Sequence, residues 1–180
     1  VPNVRRTQRA VTAAGGRVLA PPQNMPRRGD QAIFADPEGA MFGVVKSSSG
    51  DPPDYLAEPG EWIWIQLLSR DPLRATGFYQ TIAGYDILTN SVPGRLSDYV
   101  LAKEGYARAT IGTISGKFPK LKPTWLPFVR VKSVAESVSQ VGTLDGKVVI
   151  APAPGLLGGR VAVVADPTGS AIGILEWSED

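Results

Sequence analysis

The sequence contains neither cysteine nor histidine. Without cysteine, the chain can form no disulfide and no zinc–thiolate site, and it has no thiol nucleophile. Without histidine, it lacks the commonest metal ligand and the usual general base near neutral pH. Any catalytic mechanism must therefore rely on Asp, Glu, Lys, Tyr or Ser.

Long apolar runs and a strong charge imbalance are also missing. No apolar run reaches the length of about 18 residues that a membrane span requires, so we expect no membrane span. The net charge is only +2, and the Arg-rich segment 5–9 falls on a predicted amphipathic helix without interleaved aromatic residues. We interpret this segment as a solvated face and expect no nucleic-acid partner. A soluble chain is expected, either cytoplasmic or exported after loss of a leader.

The sequence does contain an internal repeat. Residues 1–47 align with residues 131–177 at a constant offset of 130, without a gap. Within it, GRVLAPP at 16–22 matches GKVVIAP at 146–152, and ADPEG at 35–39 matches ADPTG at 165–169. Because several motifs share one spacing, we infer a duplication. Residues 1–47 are the first copy and residues 131–177 the second copy.

Each copy predicts a helix followed by three strands. Ser133 and Glu136 have the spacing of a capping box, and Asn3 is the corresponding cap in the first copy. The Asp-Pro-x-Gly motif predicts a tight turn before the last strand. A further strand at 124–131 precedes the second copy, and at offset 130 its counterpart falls ahead of Val1. We therefore expect the chain to begin inside a βαβββ module, with upstream residues removed.

A third unit of the same order lies between the copies. A predicted strand at 61–68 leads to Asp71-Pro72, a helix cap followed by proline at the first helical position. Apolar side chains then mark one helical face: Leu73, Ala75, Phe78, Tyr79 and Ile82. Three short strands are predicted at about 84–89, 97–103 and 106–114, with turns at Pro93-Gly94 and Gly105. Residues 48–60 are polar and rich in Pro and Gly, which predicts a linker.

These modules resemble the vicinal-oxygen-chelate superfamily, which includes glyoxalases, bleomycin-resistance proteins and extradiol dioxygenases. FYQTIAG at 78–84 and the two ADPxG turns carry the resemblance. It implies an α+β fold in which paired βαβββ modules form a half-open eight-stranded sheet around a cavity. The expected domains are an incomplete module at 1–47, a linker at 48–60 and a complete domain at 61–180, with modules at 61–116 and 123–178.

The resemblance also implies positions for a catalytic metal. They lie seven residues before each helix cap and seven after the Asp of the last turn, and here they hold Trp64, Leu126 and Gly173. The fourth strand, 106–114, contains no carboxylate. Gln66 shares the face of Trp64, but one neutral amide is an inadequate ligand set, and Glu176 points to the opposite face. We expect no metal and no cofactor.

Alternation along the strands predicts a ligand-binding face. Ile63, Ile65 and Leu67 are expected to pack on the helices. The expected ligand-binding residues on the concave side are Trp62, Trp64, Gln66, Leu126, Phe128, Arg130 and Gly173. Aromatic side chains with a polar anchor favour a planar or apolar organic ligand, while the alternative interpretation is that they fill a collapsed cavity.

Three functions stay open at this point. The chain is a small-molecule-binding protein without catalysis, a metal-independent enzyme that uses a group such as Tyr99 or Asp98, or a structural module with a filled cavity. The incomplete first module has an exposed sheet edge. We expect it to pack on the complete domain, on a missing N-terminal module, or on another molecule of the chain in a homodimer.

Overall fold

The computed structural model describes residues 1–51, 53–89 and 97–177. Within these ranges the chain forms three α-helices and eleven β-strands. None of these helices is long and apolar enough to cross a membrane. The predicted turn at Pro93-Gly94 lies outside the described residues.

The first copy forms one helix and a small antiparallel sheet. Helix α1 (Val4–Ala13) begins where the Asn3 side chain accepts a hydrogen bond from Arg6 N at 2.9 Å. It is followed by three strands, β1 (Arg17–Met25), β2 (Gly29–Ala35) and β3 (Met41–Ser47). The strand order is β1-β2-β3, so β3 lies at an edge of this sheet among the described residues.

The middle unit begins with strand β4 (Trp62–Ser69). Helix α2 (Pro72–Ala83) is capped by the Asp71 carboxylate, which accepts from Arg74 N at 3.1 Å, and it ends at Gly84, whose φ of 66° suits glycine. Three strands complete the unit: β5 (Asp86–Thr89), β6 (Tyr99–Lys103) and β7 (Tyr106–Thr113). Cap, proline and strands all match the sequence prediction.

The second copy is preceded by strand β8 (Thr124–Val131), as predicted. Its own elements are helix α3 (Val134–Val141) and strands β9 (Lys147–Ile150), β10 (Val161–Ala165) and β11 (Ala171–Glu176). The larger sheet has eight strands in the order β5-β6-β7-β4-β8-β11-β10-β9, with β8 and β11 parallel. The predicted fold class, α+β with an eight-stranded sheet of βαβββ modules, is confirmed.

The two copies repeat each other down to single contacts. Asn3 caps Arg6 N in the first copy, and Ser133 caps Glu136 N in the second. A Cβ on Gly16 would lie 2.9 Å from Ala35 O, and a Cβ on Gly146 would lie 2.9 Å from Ala165 O. Each glycine therefore lets the chain leaving its helix pass close to the end of the second strand of its copy. The repeat inferred at offset 130 is confirmed as a structural repeat.

The described residues fall into two compact units. The first unit comprises Val1–Asp54, Leu67–Thr89 and Asp98–Trp125, and the described part of the second comprises Tyr55–Gln66, Ser97 and 126–177. In the first unit, α1, the small sheet and α2 share one core, in which Phe42 meets the edges of Phe78 and Tyr79. The first copy thus packs on helix α2 of the middle unit. The domain boundaries predicted from the repeat stay predictions.

Candidate functional site

One face of the second unit carries most of the predicted ligand-binding residues. In the parallel pairing of β8 with β11, Phe128 lies opposite Gly173 and Arg130 opposite Leu175. Residues in register on neighbouring strands point to the same side of a sheet. Ile174 points to the other side and packs with Val134 of α3. Phe128, Arg130 and Gly173 therefore share the face directed away from α3.

The Phe128 ring fills the space directly above Gly173. A Cβ on Gly173 would lie 2.1 Å from Cδ1 and 2.2 Å from Cε1 of that ring, far inside van der Waals contact. The ring is only 3% exposed, and Leu126, on the same strand and side, is 7% exposed. The close approach of this ring explains why residue 173 has no side chain.

The geometry provides a test of the metal that the fold implies. A carboxylate at residue 173 has no space beneath the Phe128 ring, and the other implied positions hold the indole of Trp64 and the buried side chain of Leu126. Among the residues that the structure describes, no three His, Cys, Asp or Glu side chains form a group able to hold a metal ion. The residues present do not fit the family's metal.

Arg130 serves as a backbone clamp in the second unit. Its guanidinium donates to Ala57 O at 2.7 Å and to Trp177 O at 2.9 Å. Its backbone N donates to Glu61 O at 2.9 Å, and its carbonyl accepts from Gly60 N at 2.7 Å. Arg130 therefore joins the segment ahead of β4 and the end of β11 to β8. The predicted anchor for a ligand is already engaged with protein carbonyls.

The predicted residues of β4 differ in exposure along the strand. Trp62 is 64% exposed, Trp64 is half-buried and Gln66 is 4% exposed. The prediction that Ile65 packs in the core is wrong, because its side chain is 37% exposed. Residues 66–69 of β4 are more buried than residues 62–65, and this difference outweighs the alternation that a uniformly covered strand would show.

A buried hydrogen-bond chain in the first unit was not predicted. The Asp36 carboxylate, 2% exposed, accepts from the Tyr79 hydroxyl at 3.0 Å, and that hydroxyl accepts from Trp125 Nε1 at 3.0 Å. Burial, and then the negative charge of Asp36, raises the pKa of Tyr79 far above its ordinary value. Tyr79 is therefore a neutral structural donor near pH 7. The sequence marked it only as part of an apolar helix face.

The two ADPxG turns differ in what their fourth residue contacts. Glu38 accepts hydrogen bonds from the Ser69 hydroxyl and, at 3.1 Å, from Arg70 N. Thr168, its counterpart, donates instead to Asp166 of its own turn at 2.7 Å. The turn of the first copy is therefore also a connection to β4 and α2 within the first unit. Only the spatial neighbours of the turn reveal this difference.

The predicted acid–base candidates make structural contacts. The exposed Asp98 carboxylate accepts from both the backbone N and the hydroxyl of Thr113, at 2.8 and 2.7 Å. Tyr99 packs against the core of the first unit. These contacts hold β6 against β7, and they favour a structural role for both residues.

No protein-family model matches the chain. A protein of Mycobacterium tuberculosis provisionally named a glyoxylase, CFP32, is 25% identical over 166 residues, which are 92% of this chain and 63% of the relative. The anthracycline biosynthesis protein DauV of Streptomyces is 28% identical over 170 residues, 94% of this chain and 60% of the relative. The chain thus spans about three-fifths of the length of these relatives.

A solved structure shows the same fold. The Mn(II)-bound glyoxalase from Novosphingobium aromaticivorans aligns with a TM-score of 0.57 at 18% identity, covering 96% of this chain and 58% of the other. The βαβββ repeat, the eight-stranded sheet and the sequence relatives agree with one another. The chain therefore has the fold of the vicinal-oxygen-chelate superfamily and is similar in sequence to proteins named for glyoxylase activity and anthracycline biosynthesis.

Proposed function

We propose that this chain is a glyoxalase-like protein that binds a planar, apolar organic molecule without the superfamily's metal. The proposal rests on one face of β4 in the second unit, along which side-chain exposure falls from Trp62 to Gln66. There, Trp62 exposes 64% of its surface, Trp64 is half-buried, and Gln66, 4% exposed, ends the row. Side chains two residues apart on a strand share a side, so both indoles belong to one face.

An indole with this exposure is suited to contact with a ligand. A tryptophan buries about 150–250 Å² when it is covered, so leaving Trp62 in water forgoes a large hydrophobic gain. A planar ligand stacked on the ring recovers that gain, and an aromatic pair adds about 0.5–1.5 kcal/mol beyond the area buried. The exposed indole therefore favours a flat aromatic ligand over a small polar one.

The curated relative DauV indicates which ligand class to test first. By its name, that protein acts in anthracycline biosynthesis. Anthracyclines contain fused planar rings, which match the flat, apolar ligand inferred from the indoles. We propose an anthracycline-type polycyclic compound as the ligand class of this chain.

The face around Gly173 supports a metal-free mode of binding. Its neighbour Phe128 occupies the volume that a liganding carboxylate would need. Ligand affinity should therefore arise from stacking and burial, and it should not respond to divalent metal.

The proposal is tested by titrating the protein with doxorubicin and following quenching of tryptophan fluorescence. We expect saturable binding that neither EDTA nor added Mn²⁺ changes. Trp62→Ala should weaken binding about three- to tenfold, as expected for the loss of one aromatic contact. Trp177→Ala is the matched control, because its indole is also exposed, at 46%, but it is not a residue of β4.

A structural module with a filled interior is the second candidate. It is favoured by the apolar face of β8, β11 and β10, on which Phe128, Leu175 and Val163 are 3%, 8% and 6% exposed. Absence of saturable quenching, or equal effects of the two tryptophan variants, would support this candidate over ligand binding. Binding that EDTA abolishes would contradict both.

A further inference from the structure

The exposed surface of helix α1 carries three arginines, Arg5, Arg6 and Arg9. Residues three and four apart on a helix are neighbours, so these side chains form one basic patch in the first unit. Among the residues that the structure describes, no carboxylate forms an ion pair with any of the three guanidinium groups. We infer that this basic patch is a docking surface for an acidic protein segment, whose carboxylates pair with the three arginines.

The second copy shows that the fold does not require this charge. At offset 130 the three arginines correspond to Ala135, Glu136 and Ser139, which are likewise exposed on α3. The buried positions agree instead: Val4 and its counterpart Val134 are 2% and 1% exposed. The copies therefore share the residue that faces the core and differ in charge where the helix faces solvent.

The three positive charges are unfavourable for helix α1 itself. Arg5 and Arg9 are four residues apart, a spacing at which like charges destabilise a helix. Arg6 lies in the first turn, where the positive end of the helix dipole favours carboxylates. Helix α1 has no acidic residue in that turn, whereas α3 has Glu136 there. A patch that costs stability, and that is not neutralised within the described residues, indicates a partner outside them.

The spacing of the patch fits carboxylates on a protein. A guanidinium group can donate two parallel hydrogen bonds to one carboxylate, which makes arginine the better cation for such pairs. Side chains three or four residues apart on a helix lie about 5–6 Å apart at their Cβ atoms. An acidic helix alongside α1 has the same spacing as the basic patch, so it opposes each arginine with a carboxylate.

Other anionic partners fit the patch less well. A helix that lies in a membrane surface buries an apolar face in the lipid, but Val4 and Val11 of α1 are 2% and 0% exposed and face the core. Single-stranded nucleic acid is bound with the help of aromatic side chains, and α1 contains none. These features favour an acidic protein segment over a lipid surface or a nucleic acid.

The test uses the whole chain and a fluorescently labelled helical peptide of alanine and glutamate, with the glutamates four residues apart. Fluorescence anisotropy at low ionic strength should show saturable binding that weakens as salt is added, because salt screens exposed charges. Arg5→Ala, Arg6→Glu and Arg9→Ser together give α1 the exposed residues of α3. This triple variant should bind at least about eightfold more weakly, since it loses three exposed ion pairs that contribute about twofold or more each.

The stability of the triple variant separates docking from a structural role of the arginines. Its midpoint of urea denaturation should equal or exceed that of the wild type, because it removes like-charge repulsion and adds a carboxylate to the first turn. Arg74→Ala is the matched control. It removes an exposed arginine from α2 and should change peptide binding by less than about twofold.

Four results would overturn the inference. The first is a triple variant that binds the peptide as tightly as the wild type, and the second is one that is less stable than the wild type. The third is an equal loss of binding in the triple variant and in Arg74→Ala. The fourth is tighter binding of duplex DNA or of phosphatidylglycerol vesicles than of the peptide at the same ionic strength.

Discussion

The contact between Phe128 and Gly173 predicts a large difference between two chemically identical substitutions. Gly173→Ala and Gly43→Ala each add one methyl group at equivalent positions of the repeat. The new Cβ at 173 would lie 2.1 Å from the Phe128 ring, whereas the one at 43 would meet only a carbonyl oxygen at 3.9 Å. The same change therefore enters a filled site in one copy and open space in the other.

The magnitude follows from the distance that the ring must move. Restoring an ordinary contact of 3.4 Å from 2.1 Å requires a shift of 1.3 Å, the difference of the two distances. The ring is 3% exposed, so it cannot move without losing its own packing. Overpacking of this kind costs about 1–3 kcal/mol of the free energy of unfolding. Gly43→Ala should be neutral or stabilise by about 0.5–1 kcal/mol, since glycine is unfavourable inside a strand.

Urea denaturation followed by circular dichroism measures both effects, and a double-mutant cycle identifies the cause. Phe128→Ala alone should cost about 3–5 kcal/mol as a large-to-small core substitution. In that background Gly173→Ala should cost little, because its Cβ then has space, which gives a coupling energy of about 1–3 kcal/mol. Equal stabilities of Gly173→Ala and Gly43→Ala, or an undiminished cost of Gly173→Ala beside Phe128→Ala, would refute this reasoning.

Further predictions concern the polar contacts of the first unit. Tyr79→Phe removes the hydroxyl that joins Asp36 to Trp125 and should lower the free energy of unfolding by about 1–3 kcal/mol, measured by urea denaturation. Burial raises the pKa of Tyr79 above its ordinary 10.0. The stability that the protonated hydroxyl gives the folded state is therefore fully present below about pH 10, and it is lost as the pH rises further. A stability–pH profile of Tyr79→Phe should therefore fall less steeply above pH 10 than that of the wild type. Glu38→Ala leaves the buried hydroxyl of Ser69 without its acceptor and should lower the free energy of unfolding by about 1–3 kcal/mol. Thr168→Ala should change it by less than about 0.5 kcal/mol, because Thr168 contacts only its own turn. Equal losses of stability in the two variants would contradict the assigned contacts.

Local chemistry made much of the fold predictable from the sequence. Asn3, Asp71 and Ser133 each cap a helix where predicted, because a side chain reaching the backbone two or three residues ahead depends only on neighbours in the chain. The Asp-Pro-x-Gly turns form for the same reason. The resemblance to the vicinal-oxygen-chelate superfamily also rested on the order and spacing of such signals.

The candidate site was predictable only in part. Strand alternation placed Phe128 and Arg130 on one side of β8, and the register with β11 agrees. It failed for Ile65, because exposure depends on what covers each strand position, and the sequence does not contain that information. Arg130 was predicted as a ligand anchor, yet its guanidinium donates hydrogen bonds to two carbonyl oxygens that are distant in the chain.

By itself, the sequence determined the elements of this protein, their order and their duplication, since these depend on contacts between residues close in the chain. Tertiary structure alone decided what each repeated position does. Gly43 and Gly173 occupy equivalent places, but only Gly173 lies under an aromatic ring. The glycine at 173, which the sequence shows only as the absence of a metal ligand, is the space that Phe128 needs. Packing between strands distant in sequence assigns that space, and composition and local pattern do not encode it.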